Sequence, residues 1–393
     1  MQRLAVPQGE FILANPSSSQ PETLRPWDAA DEYLLQHLFE LGEPTGNLLV
    51  VNDRCGALAV ALAQYEPTAL SDSYTSQLAT TSNLERNAIP APRVKLLGSL
   101  DPMPSRIDYL LVKVPKTLAL LEDQLLRLAP SVHPDTVVIA AGMTKHVHNS
   151  TLGLFEQILG TTTTSLAKKK ARLIFVAPRE RLAPLPLSKP TSYILEPGHL
   201  RVRSHPGVFS AERLDIGTSF FLDNLPDQAG QIRIIDLGCG NGVVGLVLAL
   251  DNPDAEVTFI DESYLAMASA ELTTQGNLDT TEQCEFIVGD SLSQLRNHQG
   301  IPDGSVDLVF TNPPFHDDHA LSDATAWQMF TDAHRVLRSN GQLWVIGNRH
   351  LAYHAKLKRI FGNCDIIASN SKFVVFRSTR KPVPDQHKVD DFS

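Results

Sequence analysis

The chain has 393 residues, 42% of them hydrophobic, and a formal net charge of −10. That length points to two or three domains with proper cores, and the acidic balance argues against indiscriminate nucleic-acid binding. No apolar run reaches the roughly 18–20 residues of a membrane span, and Met1 to Glu10 lack the continuous apolar core of a cleavable signal.

The four cysteines, Cys55, Cys239, Cys284 and Cys364, are scattered without a C-x-x-C pair. Neither zinc nor a disulfide framework is therefore expected, and the expected compartment is the reducing cytoplasm. Charge is unevenly spread. Residues 1–200 carry 18 Lys/Arg and 19 Asp/Glu; subtraction from the totals of 34 and 44 leaves 16 against 25 for residues 201–393. Basic clusters at Lys168-Lys169-Lys170-Ala-Arg172, Arg179/Arg181 and Arg201/Arg203 place any polyanion on the first half and the junction. A solvated charge run is the plainer reading of the lysine triplet.

In chain order, the first half offers an apolar strand and turn at Leu48-Leu-Val-Val-Asn-Asp-Arg-Cys-Gly56, then Ser71-Asp-Ser-Tyr74, then Asp108-Tyr-Leu-Leu-Val-Lys-Val-Pro-Lys116. A Pro-rich connection spans about Pro178 to Pro197 and reads as a linker. The second half predicts strands at Arg233–Leu237, Glu256–Ile260, Cys284–Val288, Val306–Thr311 and Gln342–Gly347. It predicts helices near Val243–Leu250, Tyr264–Gln275, Asp323–Arg338 and Tyr353–Phe361. A terminal β-pair, Cys364–Ala368 with Lys372–Arg377, turns at Ser369-Asn370-Ser371. Alternation of this kind specifies an α/β fold, a parallel sheet with helices on both faces.

The first half repeats the second in degraded form. Setting Cys55 against Cys239 aligns the two strand-and-turn segments. Ser71 lies 190 positions before Asp261, Asn87 lies 190 before Asn277, Asp108 lies 199 before Asp307, and Lys145 lies 204 before Arg349. Offsets that grow slowly and in order are those of a duplication with small insertions. On this alignment Arg54 and Leu58 replace Gly238 and Gly242, and Lys113-Val-Pro-Lys116 replaces Asn312-Pro-Pro-Phe315. The first copy keeps the layout and loses the chemistry.

Two motifs carry that chemistry. Asp236-Leu-Gly-Cys-Gly-Asn-Gly242 lies between a strand and a helix, where glycines let the backbone approach a ligand at an electropositive helix end. Gly240, Gly242 and Gly245 also satisfy the dinucleotide pattern G-x-G-x-x-G. Asp236, ahead of the first glycine, is suited to the ammonium of a methionine moiety. Asp261 is placed to bridge ribose hydroxyls and Asp290 to accept from an adenine amino group; each is equally a plain strand-end carboxylate.

Asn312-Pro313-Pro314-Phe315 follows a predicted strand and suits methylation of an amine conjugated to a planar group. The Asn oxygen and the next carbonyl accept its N–H hydrogens, the prolines fix that carbonyl, and the aromatic ring stacks on a base. An ordinary Pro-rich turn is the plainer alternative.

With these residues in view, the second half resembles the class I S-adenosylmethionine-dependent methyltransferases. More closely, it is similar to the bacterial ribosomal RNA guanine-N2 methyltransferases. Pro206-Gly-Val-Phe-Ser210 and Asn312-Pro-Pro-Phe-His316 are shared with the small-subunit enzymes. The segments His316–Asp323, Trp327–Phe330, Asn348–Tyr353, Lys356–Asn363 and Ser369–Val375 look like those of the large-subunit family.

The resemblance implies two tandem Rossmann-like methyltransferase domains with seven-stranded, mostly parallel sheets, the first degenerate. Its bounds would be 1–180 for an RNA-binding platform, 181–205 for a linker, 206–380 for the catalytic domain and 381–393 for a tail. It implies S-adenosylmethionine as cofactor, held by Asp236, Gly238, Gly240, Gly242, Asp261 and Asp290. Asn312 and the Pro313 carbonyl would hold a guanine amino group in 23S ribosomal RNA, with Pro314 fixing the corner and Phe315 stacking on the base. Phe209, Ser210, Asp215 and Gly217 would close over the cofactor, and His316, His319 and Arg349 would flank the site. Small-subunit RNA, a protein glutamine amide, a DNA amine and a non-catalytic RNA-binding assembly factor are the rival readings.

Overall fold

The structure is a computed structural model describing residues 1–15, 25–180, 185–196, 198–290, 292–295, 300–314 and 319–382, with the backbone alone for 294 and 319–322. The chain divides into two compact units. One comprises Met1–Thr191 with His205–Val208 and Glu262–Leu265; the other comprises Ser192–Ser204, Phe209–Asp261 and Ala266–Ser393.

The first unit runs β1 (Gln2–Val6), β2 (Gly9–Leu13), α1 (Ala29–Leu41), β3 (Leu48–Val51), α2 (Ala57–Ala61), β4 (Thr68–Leu70), α3 (Tyr74–Arg86), β5 (Lys95–Leu97), β6 (Ile107–Lys113), α4 (Leu118–Leu128), β7 (Val132–Met143), α5 (Asn149–Ile158), β8 (Gly160–Thr164) and β9 (Ala171–Pro178). Its main sheet has the order β5-β4-β3-β6-β7-β9-β8. Strand β3, Leu-Leu-Val-Val, is buried along its whole length. Leu48 and Val50 face one core cluster, Leu49 and Val51 the other, as a central parallel strand covered on both faces requires.

The second unit runs β10 (Thr191–Leu195), β11 (Leu200–Ser204), α6 (Ile216–Leu222), β12 (Arg233–Leu237), α7 (Val243–Asp251), β13 (Glu256–Asp261), α8 (Tyr264–Gln275), β14 (Cys284–Asp290), β15 (Gln294–Leu295), β16 (Val306–Thr311), α9 (His319–Val336), β17 (Leu337–Asn348), α10 (Tyr353–Phe361), β18 (Asp365–Ser369) and β19 (Phe373–Thr379). The sheet order is β15-β14-β13-β12-β16-β17-β19-β18. Without the two-residue β15 this is the topology of the first sheet, strand for strand. The two-sheet α/β fold expected from sequence is therefore present, with one extra short strand in the second copy.

Three details differ from the sequence reading. Strand β17 begins at Leu337, five residues early, because its ladder to β16 slips between Val306 and Leu308 and takes up the extra chain as a bulge. The segment expected as a linker holds β10 and β11, which pair as a two-stranded sheet. The β11 backbone is fixed to α8 by N–H donation from Arg201 to Asn277 Oδ1 (2.8 Å) and from Arg203 to Thr273 Oγ1 (3.0 Å). Residues 383–393 of the expected tail lie outside the described residues.

The third difference is the alignment of the copies. Asn52 N–H donates to Leu70 O, and Gly238 N–H donates to Ile260 O. Asn52 therefore corresponds to Gly238, and Gly56 to Gly242; the Cys55–Cys239 pairing is two residues out. Gly56 and Gly242 both cap their helices at left-handed φ, +75° and +78°. A Cβ on either would lie 2.8–2.9 Å from the neighbouring helix, at Thr80 or Ala270. This glycine survives in both copies because helix packing needs it, and the residues lost from the first copy are Gly238 and Gly240, replaced by Asn52 and Arg54.

Candidate active site

The glycine loop leaves the carboxyl end of β12, and the Asn-Pro-Pro corner leaves β16 beside it, with Leu237 paired to Thr311. Between them lies a cleft with about 470 Å³ of empty space, part of it open solvent. Asp236, Gly238, Gly240 and Asn312 all line it, as do Phe209 and Ser210. Gly238 and Gly240 have φ of +71° and +57°. A Cβ on Gly240 would meet nothing within 4 Å, so bare backbone borders open space there.

Asp236 is 3% exposed, and its Oδ2 accepts the Gly245 N–H at 2.8 Å. Burial pushes its carboxyl up to about 7, against the lowering effect of that N–H and with a further rise from Asp261. Asp261 Oδ2 accepts the Gly240 N–H at 2.9 Å, so the carboxylate expected at the ribose also shapes the loop. Gly242, Asp261 and Asp290 are not among the cleft-lining residues; Asp290 sits at the end of β14, paired to Gln294.

At the corner, Asn312 Nδ2 donates to Thr218 Oγ1 at 3.1 Å, while Asn312 Oδ1 is buried and has no partner among the described residues. Such an acceptor is costly unless a ligand satisfies it. Pro313 is buried and Pro314 exposed. Phe315 and His316 lie outside the described residues, as does the His319 side chain. Arg349 is held by Asn370 O at 2.8 Å.

Phe209, 51% exposed, stands on the cleft wall. Asp215 instead caps α6, accepting the Thr218 N–H. A Cβ at Gly217 would strike Phe373 at 2.9 Å, so that glycine serves packing.

Sequence reasoning missed Thr218 and Asn241. Thr218 is three residues past the α6 cap, a position legible once Asp215 is read as an N-cap. Asn241 is 3% exposed and donates to Ser204 Oγ (3.2 Å) and Ser210 O (3.3 Å), tying the glycine loop to the segment before α6. Nothing local in the sequence signals those distant partners.

In the first unit the same positions are filled from within. Asn52 Nδ2 donates to Lys113 O (3.1 Å) and Gln124 Oε1 (2.8 Å). Arg54 donates to Arg25 O at 2.8 Å. Lys113, at the place of Asn312, pairs with Asp28 (2.8 Å) and Asp31 (2.7 Å). Burial depresses the Lys113 ammonium, but the two carboxylates outweigh it and hold the group charged.

Residues 1–180 match the family described as RLMG N-terminal domain, and residues 199–377 that described as Methyltransferase small domain. A Streptomyces avermitilis protein named ribosomal RNA large subunit methyltransferase G is 53% identical over 96% of this chain and 99% of its own length. One of that name from Klebsiella pneumoniae is 49% identical over 93% and 94%. A T. thermophilus 16S rRNA N2 methyltransferase, solved in complex with AdoMet and guanosine, superimposes with a TM-score of 0.75 at 18% identity, covering 97% of this chain and 98% of its own.

Proposed function

We propose that this chain, which belongs to the ribosomal RNA large subunit methyltransferase G family and is a methyltransferase by that membership, methylates the exocyclic N2 of a guanine in 23S ribosomal RNA. The relatives' names supply the RNA class, and the buried, unpartnered Asn312 Oδ1 beside the glycine loop carries the choice of an amino group as acceptor.

The residues present fit S-adenosylmethionine. Open space faces the Gly240 backbone, and a buried carboxylate, Asp236, stands on the cleft wall to meet an ammonium. When bound, the cofactor supplies an electrophilic methyl group on a positively charged sulfur. Asp236, Gly238 and Gly240 would hold its amino-acid end, with Gly242 setting the loop's turn into α7, and Asp261 and Asp290 would serve its ribose and adenine.

Asn312 Oδ1 and the Pro313 carbonyl accept the N–H hydrogens of the guanine amino group. They turn its lone pair away from the ring and towards the donor side. Pro314 restrains the corner, and Phe315 stacks on the base. This positioning is the main catalytic effect, since near-attack alignment alone supplies much of such a barrier. The methylated nitrogen then loses one of its own protons to solvent. A guanine in a duplex costs a few kcal/mol to flip out, which favours a loop or junction nucleotide.

Residues 1–180 serve in this reading as an RNA platform. Their near-neutral charge and the internally filled site of this first copy support that role, and the chain as a whole acts in the cytoplasm.

The test is labelled methyl transfer to large-subunit RNA, small-subunit RNA and total protein from unmodified cells. Label in large-subunit RNA, lost by at least a hundredfold in Asn312→Ala with cofactor affinity nearly intact, is the expected result. Label confined to protein or to small-subunit RNA refutes the substrate, and wild-type turnover of Asn312→Ala refutes the role of the corner.

A further inference from the structure

We infer that Thr218 is a positioning residue whose hydroxyl sets which way round the Asn312 amide stands. The inference rests on the reading of Asn312 as the acceptor for the substrate amine.

An asparagine amide is nearly symmetric in shape, and rotation by half a turn exchanges an acceptor oxygen for a donor NH2. In the wrong orientation, Asn312 would face the amine's N–H hydrogens with its own N–H groups. Among the described residues one side-chain contact defines the orientation, the donation from Asn312 Nδ2 to Thr218 Oγ1 at 3.1 Å. It leaves Oδ1 buried and without a partner among them. Both residues line the cleft.

Thr218 is itself held in place. It is 6% exposed and stands in the first turn of α6, where its N–H is fixed by the Asp215 carboxylate at 3.0 Å. The hydroxyl therefore sits on a capped helix end and not on a mobile loop.

The first unit contains an independent version of the same contact. Asp31 lies three residues past the Asp28 cap of α1, as Thr218 lies past Asp215. Lys113 occupies the place of Asn312, since Val51 pairs with Val112 as Leu237 pairs with Thr311. Asp31 and Lys113 contact each other at 2.7 Å. In both units the residue following the equivalent strand position, Val112 in β6 and Thr311 in β16, is gripped by the third residue past the helix cap, and the two differ as a pair between the units. Where the corner holds a cation the grip is a carboxylate; where it holds an amide that must present its oxygen, the grip is a hydroxyl.

The experiment uses the full chain and compares Thr218→Val, Thr218→Ser and Asn312→Ala. Turnover is measured on unmodified large-subunit RNA at saturating S-adenosylmethionine, and cofactor Kd and melting temperature are measured alongside. One hydrogen bond sets the scale. Thr218→Val is expected to lower kcat about tenfold, with RNA KM and cofactor Kd within about twofold of wild type. Thr218→Ser is expected to restore kcat to within about twofold, which a merely structural role for the side chain would not produce. In an Asn312→Ala background, Thr218→Val should have no further effect.

Wild-type kcat in Thr218→Val overturns the inference, as does an equal loss in Val and Ser or a tenfold loss of cofactor affinity. Should Thr218→Val fail to fold, Thr218→Ala replaces it in every comparison. If Asn312→Ala itself keeps wild-type turnover, the reading of the corner fails instead, whatever Thr218 does.

Discussion

Asp236, proposed above to meet the cofactor's ammonium, is held at a cost to the fold. Its carboxyl is nearly inaccessible, and burial raises it from 3.8 to about 7. The native state therefore binds more protons than the unfolded chain between those values, and stability falls as pH rises through that window. About three units at ~1.4 kcal/mol each set an upper bound of about 4 kcal/mol. Asp236→Asn removes the titration. Its stability relative to wild type is expected to improve from pH 4 to pH 7 and level off above, read by urea unfolding without cofactor. A difference independent of pH would refute this account. The same variant should bind S-adenosylmethionine more weakly, because it loses the carboxylate for the ammonium. The motif and its strand position are legible in the sequence. The raised pKa is not, since it arises from burial in the folded chain and from the neighbouring Asp261, against the lowering effect of the Gly245 N–H.

At the scale of elements, two glycines of the loop have separate physical duties. Gly240 borders open space and Gly242 admits α8. Counting Cys55 against Cys239 could not separate these duties, because composition does not report φ or ladder register. The hydrogen-bond ladders do, and they move the alignment of the copies by two residues.

The corner's counterpart is a structural bridge between α1 and β6. Lys113, 12% exposed at its side chain, meets Asp28 and Asp31. Removing one partner of a buried pair costs about 3–5 kcal/mol, because the other charge stays buried alone. Lys113→Ala is expected to destabilise the first unit on that scale in urea unfolding, with S-adenosylmethionine affinity unchanged. A loss under about 1 kcal/mol would mean that Asp31 is neutralised without Lys113.

Over the whole molecule, two copies of one topology differ in what fills the corresponding positions. The first presents Lys168, Lys169 and Lys170 in the β8–β9 connection, all exposed. Lys169 and Lys170 lie at φ +50° and +63°, and Lys169 is paired to Glu32 at 2.9 Å. Replacing the three by Ala is expected to weaken RNA binding several-fold and flatten its salt dependence, with cofactor affinity unchanged. Unaltered RNA affinity at low salt would remove the triplet from the platform.

The sequence by itself determined the α/β alternation, the duplication, the glycine loop and the Asn-Pro-Pro corner. Each is written locally, in hydrophobic period, in glycine and proline, and in the order of offsets. Only the tertiary structure decided that Thr218 grips Asn312, that Asn241 ties the loop to the segment before α6, and that Asn52, Arg54 and Lys113 close the first copy from within. Those contacts join residues dozens of positions apart, and what selects them is the register of parallel strands and the caps of the helices beside them.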